Sequence, residues 1–144
     1  MTVKGLNELS EDAARTAKAH GFDDASVGEE IALQHSELSE ALEDYRKGHS
    51  PTAKWWEEKV QAFTSDGFAI RDADDKPVYV AIKHFVPRSL EGKLYKPCGI
   101  PSEIADVIIR ALHFSGKYGI NIEEEVAEKM AYNETREFKH GKKL

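Results

Sequence analysis

AKWWEEKVQAF, residues 53–63, interrupts a chain whose other long segments carry helical periodicity. The fold class turns on how it is read. Trp56, Val60 and Phe63 recur at spacings of four and three, which puts them on one side of a short amphipathic helix. Downstream, GFAIRDADDKPVYVAIKHFV (residues 67–86) reads as two short β-prone runs around an Asp-rich turn at 72–77. On this reading any β structure is confined to one hairpin, and the expected class is all-α.

Working outward, four segments form the helical frame. The first spans about 9–20, with Ser10 as N-cap before Glu11 and Asp12 and Gly21 as the stop. The second spans about 26–47 and ends at Gly48. The third opens at IPSEIADVIIRALHFSGKYG, with Pro101 in its first turn and Gly116 or Gly119 closing it. The fourth, NIEEEVAEKMAYNETREFKHG, has Asn121 as N-cap, three glutamates in the first turn and basic residues at its end, an order that suits the helix dipole. The expected organisation is a single domain over 1–144 with an insertion at about 49–97.

The chain has 144 residues, a length suited to one domain. At 40% hydrophobic and 32% charged it has a globular rather than a disordered composition. A net charge of −6 argues against nucleic-acid binding through phosphate contacts, which needs a basic face. It leaves room for a small anionic substrate, because metal ions invert the local field. Cys98 is the one cysteine, so neither an intrachain disulfide nor a thiolate cluster is expected, and a reducing cytoplasm is the simplest compartment. MTVKGLNELSED lacks the apolar core of a secretory signal, and no apolar run approaches the roughly 20 residues of a membrane span.

The chemistry concentrates in HSELSEALEDYRKG, residues 35–48, where Glu37 and Glu40 are three apart and Glu43 and Asp44 follow. Like charges at helical spacing repel by a few tenths of a kcal/mol per pair, roughly, so either solvent or a cation absorbs the penalty. At about 100° per residue, Ile31, His35, Leu38, Leu42 and Tyr45 form one stripe, taken as the core face. Glu30, Glu37 and Asp44 form a second, with Glu40 and Leu33 beside it; a solvated acidic surface would show the same pattern.

The third helix is apolar around more than half its circumference, as expected in the middle of a bundle or at a subunit interface. Only Glu103, Asp106, Arg110, His113 and Lys117 make a narrow polar stripe. Buried carboxylates are expensive unless paired or metal-bound; Arg110 is a possible structural partner of Asp106. Two acidic pairs, Glu37/Glu40 and Glu103/Asp106, supply hard oxygen ligands of the kind that suits Mg²⁺ or Mn²⁺. A di-iron bundle needs Glu-x-x-His on two helices, and only Glu137 and His140 have that spacing. On the fourth helix Lys129, Asn133 and Arg136 share one stripe that suits phosphate oxygens, or else a solvated basic face paired with Glu125 or Glu128. His35 reads as a core histidine and Cys98 as no nucleophile.

SELSEAL, GIPSEIADVIIRAL and EKMAYNETREFKHGKKL together resemble the MazG-like family of all-α nucleoside triphosphate pyrophosphohydrolases. The resemblance covers roughly 29–43 and 97–144 and implies a MazG-like four-helix bundle. It implies metal ligands at Glu37, Glu40, Glu103 and Asp106, with Mg²⁺ as cofactor and Mn²⁺ possible. It places Lys129, Asn133 and Arg136 on the substrate's phosphates, with Lys142 of the basic tail approaching the substrate. The implied reaction cleaves a nucleoside triphosphate, ribo or deoxy, between the α- and β-phosphates, and Glu40 is assigned as proton acceptor. A homo-oligomer, dimer or tetramer, is expected. The long connection between Glu40 and Glu103 departs from the family pattern. Two other functions fit the same residues: a non-catalytic helical module binding a nucleotide or partner, and phosphoribosyl-ATP hydrolysis.

Overall fold

The computed structural model describes residues 2–87, 89–90 and 93–137. Its helices are α1 (Leu6–Ala19), α2 (Val27–Arg46), α3 (Ile100–Lys117) and α4 (Ile122–Glu134). Between α2 and α3 lie β1 (Trp55–Gln61), β2 (Tyr79–His84), β3 (Ser89–Leu90), β4 (Lys93–Leu94) and β5 (Lys96–Cys98). The contacts divide the chain into two units, Met1–Ser36 with Asp106–Leu144, and Glu37–Ala105; the division runs through α2 and α3 themselves.

The all-α expectation is overturned. Residues 55–61 form the central strand of a three-stranded antiparallel sheet of order β2-β1-β5, not an amphipathic helix. The charges of β1 find partners across strands rather than along a helix. Glu57 stands opposite Lys83 of β2 and Lys96 of β5, pairings of opposite sign that favour a sheet. Trp55 is buried opposite Cys98, with the Lys83 ammonium 4.6 Å from its ring centroid and His49 4.5 Å away. On the other face Glu58 meets His84 at 3.0 Å, and the His84 ring stacks on Tyr95. Bulky aromatic and β-branched residues pack well on such a pleated surface.

Of the two β-prone runs expected downstream, only the second becomes a full strand, β2. The first contributes isolated bridges, Phe63 to Ala69 and Arg71 to Pro77. Its centre is a three-way exchange: Ala62 N–H donates to the Val78 carbonyl, Ile70 N–H to Ala62, and Val78 N–H to Ile70, all at 2.9 Å. The Asp-rich turn is where the sequence placed it. Asp72 Oδ1 accepts from the N–H groups of Asp74 and Lys76, and Asp75 takes a left-handed φ of 60°.

Gly99 joins β5 to α3 at φ 101°, where a Cβ would lie 2.3 Å from the Ala53 carbonyl oxygen. Only glycine lets the two backbones approach so closely. Ser102 Oγ then donates to the Pro97 carbonyl across the start of α3.

In the other unit, α1 begins at N-cap Gly5, earlier than expected. Ser10 is not its N-cap; it is buried in mid-helix and donates at 2.8 Å to the Leu112 carbonyl of α3. Gly116 makes that approach possible, since a Cβ there would lie 2.4 Å from the Ser10 carbonyl oxygen. Asn121 caps α4 as expected, accepting from Glu124 N–H and from Asn7 Nδ2. Asn7 N–H in turn donates to Glu123 Oε1, so the first turns of α1 and α4 cap one another. α4 ends at Glu134 with no basic residue in its last turn. The stretch 138–141, where basic residues were expected to close it, lies outside the described residues. No described helix is long and apolar enough to cross a membrane.

Candidate metal centre

The inward face of α2 is the acidic one. Glu30, Glu37 and Ala41 are buried, and Gln34 and Asp44 are half-buried, a recurrence of four and three that marks one helix face. The stripe taken from the sequence as the core face is the exposed one: Ile31 is 47% exposed, Leu38 and Leu42 46%, and Tyr45 64%. On α3 the inversion is partial, since Leu112 stays buried. Glu103 is buried and Asp106 and Arg110 half-buried, whereas Ile104, Ile108 and Ile109 are exposed.

Glu37 of α2 and Glu103 of α3 lie in one unit, and Asp106 follows Glu103 by one helical turn. One carboxylate oxygen from each of the three lies within 4.8 Å of the others. Two oxygens on one cation lie at most two bond lengths apart, about 4.2 Å for Mg²⁺ and about 5.2 Å for Ca²⁺, so the three carboxylates stand within side-chain adjustment of a common ion. The donor set consists of hard carboxylate oxygens, which fits Mg²⁺ or Mn²⁺ and not a thiophilic metal. Glu40, the fourth acid expected from the sequence, is exposed on the next turn of α2 and is outside this group.

A second polar contact joins the other ends of the same helices. Lys117 Nζ donates to Glu30 Oε1 at 2.8 Å and to the Ala25 carbonyl at 2.7 Å. The hydrogen bond to the Glu30 carboxylate raises the Lys117 ammonium above its ordinary pKa. Glu30 Oε2 and His113 Nε2 are buried with no hydrogen-bond partner among the described residues. At the start of α2, the Ser26 N–H and hydroxyl lower the Glu29 carboxyl.

Lys129 and Asn133 are exposed on α4, and Arg136 lies just beyond its end, also exposed. Lys129 and Arg136 both approach the ring of Tyr132, a residue that the stripe alone did not single out. Lys142 lies outside the described residues. Cys98 is buried, and its thiol is pushed up to about 11, first by burial and then by the Glu57 carboxylate, consistent with a structural rather than nucleophilic cysteine.

The chain matches no family model, no curated protein and no solved structure.

Proposed function

We propose that the chain is a divalent-metal-dependent nucleoside triphosphate pyrophosphohydrolase of the MazG-like kind, releasing a nucleoside monophosphate and pyrophosphate. The observation that carries this reading is the convergence of Glu37, Glu103 and Asp106 on one point from two helices. These three residues would hold Mg²⁺ or Mn²⁺. When bound, the ion supplies neutralisation of phosphate charge and Lewis acidity. Glu40, three residues beyond Glu37 on α2 and outside the oxygen cluster, is assigned as acceptor of a proton from the attacking water. Lys129, Asn133 and Arg136 are assigned to the phosphate oxygens, where their charges stabilise the leaving pyrophosphate. The single cysteine supports a cytoplasmic setting, and the exposed apolar stripes of α2 and α3 support a homo-oligomer.

The deciding experiment is a panel of ribo- and deoxyribonucleoside triphosphates and phosphoribosyl-ATP with Mg²⁺, read by pyrophosphate release. Release from one or more of the nucleoside triphosphates, lost on chelation, is expected. Nucleotide binding without release would make the chain a binding module instead. Release from phosphoribosyl-ATP alone would assign the third activity.

A further inference from the structure

Two cations share one exposed ring at the end of α4. Lys129 Nζ lies 5.7 Å from the Tyr132 ring centroid, and the Arg136 guanidinium carbon 5.9 Å from it. Both are within the roughly 6 Å over which a ring's quadrupole attracts a cation. The turn beneath them is fixed by the backbone: Thr135 Oγ1 donates to the Tyr132 carbonyl at 2.7 Å, and Arg136 N–H donates to the Asn133 carbonyl at 3.2 Å. Tyr132, Thr135, Arg136 and Glu137 line an open cleft of about 450 Å³.

Lysine and arginine are long, rotamer-rich side chains that pay ordering entropy when they grip a ligand. A ring that already holds both heads removes part of that cost. Arg136 lines the cleft itself, and Lys129 reaches the same ring from one turn earlier on α4. We propose that Tyr132 is a positioning residue for a polyphosphate site, its ring pre-ordering Lys129 and Arg136 so that both meet one pyrophosphate-like anion. Glu137 lines the same cleft, so an anion carrying a divalent cation fits there better than a bare one. This inference rests on the assignment of Lys129 and Arg136 to phosphate, and it adds the group that holds them in place.

The test is calorimetric titration of the full chain with inorganic pyrophosphate in excess Mg²⁺, alongside steady-state kinetics on a hydrolysed triphosphate. Tyr132→Phe keeps the ring and loses the hydroxyl; it should bind as the unaltered protein does. Tyr132→Leu removes the ring; from the ordering cost of two side chains it should bind about fivefold to fiftyfold more weakly, raising KM with kcat little changed. Tyr132 is 57% exposed, so both variants should keep the helical circular dichroism of the parent. If Tyr132→Leu binds normally while Lys129→Ala binds weakly, the positioning role is overturned and the phosphate assignment stands. If Tyr132→Phe is as weak as Tyr132→Leu, the hydroxyl and not the ring acts, which also overturns it. If the unaltered protein and Lys129→Ala bind pyrophosphate equally, or neither binds it, the phosphate assignment fails and the inference falls with it.

Discussion

Glu37 and Asp106 are the positions at which charge can be separated from shape by one atom. Glu37→Gln and Asp106→Asn keep the volume of each side chain and remove an anionic oxygen ligand. Turnover should be abolished at limiting Mg²⁺ while the circular dichroism is retained; near-normal activity in either variant would remove the metal assignment. Gly99 makes the opposite kind of prediction, about shape alone. Gly99→Ala introduces a methyl group 2.3 Å from the Ala53 carbonyl at a φ of 101°. Overpacking typically costs about 1–3 kcal/mol, and the backbone conformation adds to it, so the urea midpoint should fall clearly; an unchanged midpoint would mean that the junction yields without cost. Cys98 predicts a pH response. Its thiol pKa is raised from 9.0 to about 11 in the folded chain. A raised thiol pKa means the folded state holds its proton more tightly, so this contribution is fully present below pH 9 and is lost as pH rises towards 11. Alkylation at pH 8 should accordingly be much slower in the native protein than in urea. Equal rates would show that Cys98 is not held as described.

At the scale of elements, what the sequence disclosed and what it hid divide along one physical line. Local signals were mostly legible, the exception being Ser10, which caps nothing and instead donates to the Leu112 carbonyl. Asn121 caps α4, the Asp-rich turn closes where aspartates and a proline gather, and Gly48 follows α2 with a positive φ of 89°. Non-local pairing was not. Trp56 and Val60 fit a helical spacing with Phe63, yet both lie in β1, whose partners β2 and β5 come from far along the chain, with Glu57 in register with Lys83 and Lys96. The spacing of the acids grouped Glu37, Glu40, Glu103 and Asp106, and in the structure the oxygens of Glu37, Glu103 and Asp106 approach one another. It did not separate Glu40 from them, since that depends on how α2 is rotated against its surroundings. For α4, each charge-assisted contact to phosphate contributes about 1.5–3 kcal/mol. Lys129→Ala should therefore lower kcat/KM by about tenfold to a hundredfold, with Mg²⁺ affinity unaltered. An unaltered rate would return Lys129 to the role of a solvated cation.

For the whole molecule, the decisive fact is how little apolar side chain one chain buries. Among the described residues the buried hydrophobic positions are Ala41, Trp55, Cys98 and Leu112, although 40% of the sequence is hydrophobic. Periodicity marked apolar stripes on α2 and α3 as core faces, but periodicity does not say what covers them, and within one chain most of these residues stay exposed. Within one chain these helices turn acids inward and leave Ile31, Leu38, Leu42, Ile104, Ile108 and Ile109 between 41% and 51% exposed. Large apolar side chains exposed in such number along a helix are what an interaction between copies would cover. Burying it against a second copy would add apolar area on both sides at once, at about 25 cal/mol per Å² before the cost of association. A two-fold arrangement also needs no second surface, because the same stripe serves both partners. The expected result is therefore a dimer or larger species by sedimentation at micromolar concentration. Leu38→Glu or Ile108→Glu, each placing a charge on the stripe without touching Glu37, Glu103 or Asp106, should shift the equilibrium towards the 16.2 kDa chain. If the unaltered protein already sediments as a single 16.2 kDa species, the stripes are not a contact between copies. If it is oligomeric and both variants assemble as it does, the contact lies elsewhere on the surface, with the exposed strand β2 the next position to alter.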